Sequence, residues 1–341
     1  MKTAKIPTRG AKEKDKRLLS GMRPTGPMHL GHLFGVLENW NTLQQSYDCF
    51  FMIADWHALM SEYQDPSKIS PSIIEMAADW FAAGIDPARS SVFVQSKVKE
   101  HLDFFMIFSA MTPLSWLERC PTYKEQLRQI KGRDLTTYGF LGYPVLQAAD
   151  ILAYAAGVVP IGLDQMPHLE LTREIARRFN GMYEQVFPEP EALLTHTPKF
   201  LGTDNRKMSK SYDNFISLGD SDDSIARKVS SMITDPERVR FSDKGRPGVC
   251  NVFNYFKFIS RGMESDVRAW CENATTGCTV CKKKLSDIVI EFIRPHRRRR
   301  EGFLKDKSYI ENALAEGARK ASDITARTLQ KTLKAMKLYD V

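Results

Sequence analysis

The chain changes its hydrophobic period near its middle. Up to about Leu201, short apolar runs alternate with helical stripes. Leu18-Leu19-Ser20-Gly21, Cys49 to Asp55, Ser91 to Gln95 and the weaker Val158 to Ile161 are runs of strand length. Between them Leu33, Leu37, Trp40 and Leu43 recur every three or four residues, as do Ile73, Ile74, Met76, Ala77 and Phe81 before Gly84. Continuous apolar strands separated by amphipathic helices predict a parallel sheet covered on both faces. From about Asp103 to Tyr154 the pattern turns helical with few β-branched residues, which predicts an insertion between two halves of the sheet. Beyond Ser221 only helical stripes remain, at Ile225 to Ile233, Val252 to Ile259, Leu285 to Phe292 and Ile310 to Leu338.

The expected fold is therefore α/β: a Rossmann-like parallel sheet over 18–217 with a helical insertion at about 103–154, then an all-α domain over 218–341. The last helix is expected to pack back on the first domain. Residues 1–17 are basic, lack an apolar core and fit neither a signal nor a transit peptide, so they are expected to be a tail.

Composition narrows the partners more than the fold. A 341-residue chain with 43% hydrophobic residues can bury a large core, and a net charge of +8 suits a polyanionic partner. No apolar run reaches the roughly 20 residues of a membrane helix. The protein is expected in the cytoplasm, away from membranes. Six cysteines in a long chain without a leader point to reduced thiols or metal ligation, not to a disulfide framework.

The candidate chemistry begins where the first apolar run ends. Arg23-Pro-Thr-Gly-Pro-Met-His29-Leu-Gly31-His32 is a strand, glycine turn and helix start, with Met22 and Thr25 alongside. Unpaired N–H groups and the dipole at such a helix start favour an anion, and His29 and His32 add side-chain donors. A ligand-free Gly/His turn is the plain alternative. A polar loop, Lys207-Met208-Ser209-Lys210-Ser211, offers two flexible cations that can follow phosphates as they leave; alone it could be a solvated loop. The sequence has no Gly-x-x-x-x-Gly-Lys-Ser/Thr and no Gly-x-Gly-x-x-Gly.

His29-Leu-Gly-His32 followed by Lys207-Met-Ser-Lys-Ser211 resembles the paired signatures of class I aminoacyl-tRNA synthetases. From about Arg17 onward the chain is similar to the bacterial tryptophanyl branch, through Ser20–Gly26, Ala54-Asp-Trp-His-Ala58, Gly84-Ile-Asp-Pro87, Tyr143–Asp150, Gly162-Leu-Asp-Gln165 and His168–Asn180. The resemblance implies ATP with Mg²⁺, L-tryptophan and tRNA(Trp) as substrates and a homodimer. It implies that His29, His32, Lys207 and Lys210 stabilise the reacting phosphate. ATP would also meet Met22, Arg23, Thr25, Gly31, Lys124, Gly162, Asp164, Met208, Ser209 and Ser211. Asp150 would accept the indole N–H, a bond only an acceptor can make; an N-cap or an ion-paired carboxylate is the alternative. Gly21, His57, Tyr143, Gln147, Val159, Ile161 and Gln165 would complete the tryptophan site. The chain departs from common members at Arg23, Gln147 and Leu163. A tyrosine-specific enzyme, a non-charging regulatory relative and a small-metabolite nucleotidyltransferase are the alternatives.

Two features remain. Cys250, Cys271, Cys278 and Cys281 follow the spacing C-x20-C-x6-C-x2-C. One close pair fits tetrathiolate zinc poorly, and three cysteines in a short segment plus a distant fourth lie nearer to [4Fe–4S] ligation; Zn²⁺ and plain thiols stay open. The pattern also resembles a subset of bacterial tryptophanyl enzymes with such a cluster. Arg294, Arg297, Arg298, Arg299 and Arg300 form the densest positive run. They are expected either to touch tRNA phosphates or to form a solvated face.

Overall fold

The computed structural model describes residues 16–121, 123–124, 134–194 and 200–338. Five strands form one sheet: β1 (Arg17–Met22), β2 (Asp48–Ile53), β3 (Ser91–Val94), β4 (Val158–Ile161) and β5 (Glu191–Leu194). Their order is β3-β2-β1-β4-β5, and every pairing is parallel, with Leu18 level with Cys49 on one side and Val158 on the other. The order reverses between β1 and β4. In open sheets that crevice, beyond the carboxyl ends, is where ligands bind.

The helices follow in chain order. The first, α1, begins as an α turn (Leu30–His32), widens into π turns (Leu33–Leu37) and ends as α-helix (Glu38–Leu43). Next come α2 (Asp55–Glu62), α3 (Ile69–Ala82), α4 (Glu100–Met111), α5 (Leu114–Glu118), α6 (Tyr138–Ala153) and α7 (Met166–Met182). Five more follow β5: α8 (Asp222–Ser230), α9 (Asn251–Ile259), α10 (Glu264–Glu272), α11 (Cys278–Lys305) and α12 (Lys307–Met336).

Alternation along the strands sorts side chains into two cores. Leu18, Phe51, Ile53, Val92 and Val94 face one way, onto α1, α3 and the helices after Ser217. Leu19, Phe50, Met52, Phe93, Val159 and Ile161 face the other, onto α4, α6 and α7. Each buried aromatic or aliphatic side chain contributes about 1.5–3 kcal/mol, so both faces are needed. The first core crosses Ser217 without interruption: Leu37 and Trp40 share it with Ile225, Leu285 and Val289.

The helix α12 returns to the edge strand β3. At Gly317 a Cβ would lie 2.6 Å from the carbonyl carbon of Val92, so only glycine allows this approach. A helix laid against an edge also shields its unpaired groups.

Two expectations differ from the structure. The strand β5 was absent from the apolar pattern, because Glu-Ala-Leu-Leu is short, lacks β-branched residues and is half exposed. The stripe ending at Phe292 belongs to a helix that continues through Pro295 to Lys305.

Candidate active site

At the carboxyl end of β1 the chain turns through Pro24, Gly26 and Pro27. Gly26 has φ +107°, a conformation that favours glycine. His29 is extended and begins α1; its N–H donates to His32 Nδ1 at 3.2 Å. That bond leaves the His32 proton on Nε2. The two rings stack with centroids 3.6 Å apart. Burial first, and the charge of Lys210 second, lower the His29 pKa to about 3. His32 is lowered well below the ordinary histidine value by burial, then by His29 and Lys210. Burial therefore favours the neutral form of both imidazoles, and a neutral ring has one N–H to donate. The His29 Nδ1 is buried without a protein partner among the described residues.

The second signature is built onto the first. Leu30 N donates to Ile216 O at 3.1 Å, and Leu218 N to Met28 O at 3.0 Å. Met208 is buried, with its sulfur 3.6 Å from where a Gly31 Cβ would stand. The Lys210 Nζ donates to Gly26 O at 2.8 Å. Burial, then repulsion from Arg23, lower the Lys210 pKa to about 8, with Asp79 opposing. Asn214, which sequence reasoning missed, ties the loop: its Oδ1 accepts from Ser209 N at 2.8 Å and its Nδ2 donates to Lys207 O and Asp204. The Lys207 side chain is exposed, so of the two lysines only Lys210 is gathered against the histidines.

A second polar cluster is centred on α6. Asp150 is 2% exposed and accepts three hydrogen bonds: His57 Nε2 to Oδ2 at 2.7 Å, and Gln95 Nε2 and His101 Nδ1 to Oδ1 at 2.7 and 2.6 Å. Burial alone would raise its pKa; the hydrogen bonds from His101 and His57 outweigh it and hold Asp150 below the usual carboxylate range. Oδ2 carries one partner and keeps a lone pair for another donor. A second chain runs alongside: Tyr143 Oη lies 2.8 Å from His168 Nε2, and His168 Nδ1 lies 2.9 Å from Gln165 Oε1. Burial pushes Tyr143 up and His168 down to about 4.

The remaining expected contacts are distributed around these two chains. Val159 and Ile161 are buried at the end of β4, and Gln147 stands half-buried one turn before Asp150. At Gly21 a Cβ would meet Met52 O at 2.7 Å, so the end of β1 must stay bare. Arg23 is exposed beyond Met22 and donates to Ser61 Oγ at 3.3 Å; Thr25 N donates to Arg23 O. Asp164, after Gly162, is exposed and accepts from Gln165 Nε2 at 3.3 Å. Lys124 is exposed beside residues 125–133, which lie outside the described residues, as does the side chain of Ser211. Gln95, His101, Tyr154 and His168 belong to the site and were not singled out beforehand.

The four cysteines come from three elements. Cys250 precedes α9, Cys271 is on α10, and Cys278 and Cys281 open α11; all line one hollow with Arg238, Val252, Phe253 and Trp270. Burial first, then neighbouring cysteines, push the Cys281 thiol up to about 12. Among the described residues, no group of three or more His, Cys, Asp or Glu is arranged to hold a metal ion. Cys49 and Cys120 are buried elsewhere.

The basic run lies on α11. Arg294 and Arg297 pair with Asp222, Arg297 also donates to Asp220 O, Arg299 donates to Ala82 O at 2.8 Å, and Arg300 Nε lies 3.0 Å from Asp79. His296 reaches the same Asp79 at 3.0 Å. These four arginines fasten α11 to α3 and α8. Arg298 is exposed.

A family model described as tRNA synthetases class I (W and Y) matches residues 11–294. A tryptophan–tRNA ligase of Thermotoga maritima is 47% identical over 325 residues, covering 94% of this chain and 99% of the relative. One from Aquifex aeolicus is 41% identical, covering 94% and 100%. The crystal structure of a Campylobacter jejuni tryptophanyl-tRNA synthetase with ADP and tryptophan superposes with TM-score 0.87 at 32% identity, covering 94% of this chain and 99% of that one.

Proposed function

The chain belongs to the class I tRNA synthetases for tryptophan and tyrosine, its activity is tryptophan–tRNA ligation, and we propose how its residues divide that work. Tryptophan's carboxylate attacks the α-phosphate of ATP; pyrophosphate leaves with Mg²⁺, and the adenylate passes to the terminal ribose of tRNA(Trp). No protein nucleophile is required, so catalysis is positioning and charge stabilisation. Neutral His29 and His32 donate to the reacting phosphate, and Lys210 supplies the positive charge. Lys207 closes on the leaving phosphates from outside. Asp150 presents Oδ2 to the indole N–H between Val159, Ile161 and His57. Tyr143 and Gln165, held through His168, face the α-amino and carboxylate groups with Gln147. Asp164 takes the ribose hydroxyls.

The observation that carries this reading is a pair of clusters beyond the carboxyl ends of the strands. Lys210 is bonded to Gly26 after β1, and the buried carboxylate of Asp150 is held by His57 after β2 and Gln95 after β3. Amino-acid-dependent ATP–pyrophosphate exchange across all amino acids is the test: tryptophan should dominate, and a preference for tyrosine would overturn the assignment of the pocket.

Three further points belong to the proposal. The functional division falls at 217/218, with the helices after it facing tRNA. The enzyme is a cytoplasmic homodimer. In support of a dimer, α4 buries Phe104, Ile107 and Phe108 yet exposes Leu102 and Met106, the latter 68% exposed, and exposed apolar side chains on a core helix suit a second covering surface. No described helix is long and apolar enough to cross a membrane. Cys250, Cys271, Cys278 and Cys281 hold a [4Fe–4S] cluster, with Zn²⁺ as the alternative. Support comes from four thiols of three elements sharing one apolar hollow, a donor set suited to soft metals. The cluster would crosslink α9, α10 and α11. Anaerobically purified protein should carry iron and sulfide with broad visible absorbance; stoichiometric zinc instead would favour the alternative.

A further inference from the structure

Asp150 does not stand alone. His101, fully buried on α4, bridges it to Tyr154: Nδ1 is 2.6 Å from Asp150 Oδ1, and Nε2 is 2.9 Å from the Tyr154 hydroxyl. Tyr154 itself is fully buried, packed against Phe50 and Phe93 at ring distances of 4.9 and 5.8 Å. Its hydroxyl bonds to His101 and has no other partner among the described residues. A buried hydroxyl proton needs an acceptor, so Nε2 must be unprotonated and Nδ1 must carry the proton. The bonds then have one polarity: Tyr154 O–H to His101 Nε2, and His101 Nδ1–H to Asp150 Oδ1.

That polarity has a consequence for the other oxygen. Oδ1 accepts from both His101 and Gln95, so its capacity is filled and the carboxylate plane is fixed at that end. Among the described residues Oδ2 is bound only by His57, whose side chain is 13% exposed and therefore on the open side. Without His101 the carboxylate could rotate, and its two oxygens would no longer be distinct.

We propose that His101, locked by Tyr154, is a positioning residue for amino-acid selection: it fixes Asp150 so that Oδ2 alone is offered to the indole N–H. The inference rests on the reading of Asp150 as the indole acceptor. It assigns to His101 and Tyr154 a share of specificity without contact with the substrate.

The test compares tryptophan with its benzothiophene analogue, in which sulfur replaces the N–H, by ATP–pyrophosphate exchange. In Tyr154→Phe and His101→Leu the preference for tryptophan should fall by about tenfold through a higher tryptophan KM. The KM of the analogue and both kcat values should change little. His101→Asn, which keeps a donor toward Oδ1, should restore most of the preference. If both substrates lose affinity together, or the preference stays intact, the inference is overturned and His101 only supports the core. Asp150→Leu, which has no acceptor, separates the two levels. If it abolishes the preference while Tyr154→Phe and His101→Leu leave it, only the positioning role falls. If the preference survives Asp150→Leu, Asp150 is not the indole acceptor and both readings fall. Where His101→Leu does not fold, Tyr154→Phe, whose ring keeps its packing, decides.

Discussion

Lys210 should make the enzyme work at a cost to its stability. In the folded state its pKa falls from 10.5 to about 8, chiefly because the ammonium is buried and secondarily because Arg23 repels it. Keeping the charge at pH 7 therefore costs about 3 kcal/mol relative to the unfolded chain. Its hydrogen bond to Gly26 O returns about 1 kcal/mol. Lys210→Met, similar in shape and uncharged, should thus stabilise the protein by about 2 kcal/mol at pH 7. The same change should lower pyrophosphate exchange by about a hundredfold or more, because the charge facing the phosphates is gone. The sign with pH follows from proton counts. Between about 8 and 10.5 the unfolded chain holds the Lys210 proton and the folded one has released it, so wild-type stability rises with pH across that window. The advantage of Lys210→Met is complete below about pH 8 and fades toward pH 10. Urea denaturation of both proteins at pH 7 and 9.5 measures this directly. A variant no more stable at pH 7, or one whose advantage is the same at both pH values, refutes the reasoning.

Other expectations concern single contacts. In Gly31→Ala the new methyl would stand 3.0 Å from His29 Nδ1 and displace the ring; exchange should fall by about tenfold to a hundredfold with an unchanged melting temperature. Gly317→Ala would push α12 off β3 through the Val92 backbone, destabilising the fold by about 3 kcal/mol in urea titrations. Cys281→Ser should lower iron content in anaerobic preparations, whereas Cys120→Ser, buried far from the hollow, should not.

The sheet was legible because its strands are buried on both faces and so read as unbroken apolar runs, as in Phe50-Phe51-Met52-Ile53. The phosphate end was legible because its glycines and histidines are clustered in the chain. The selectivity network was not. Gln95 and His101 lie 55 and 49 residues from Asp150, and only folding brings them to it and sets His101 against Tyr154. The partners of the arginine run were hidden for a related reason: charge in the sequence does not reveal what it pairs with. Asp79 lies more than two hundred residues away, yet it accepts His296 and faces Arg300.

The π-helical turns at Leu33–Leu37 bear on which changes of length this protein tolerates. Before them the helix aims His32 at the crevice; after them it aims Trp40 and Leu43 into the core. A π turn holds one residue more than an α turn, so the extra residue is absorbed in the bulge and the flanking turns keep their facing. Deleting one residue there would restore regular α-helix with both ends still aimed as before, whereas a deletion on either side of it would swing one end by about 100°. Length is therefore adjustable inside this segment and fixed outside it, while Leu37, fully buried, stays constrained in kind.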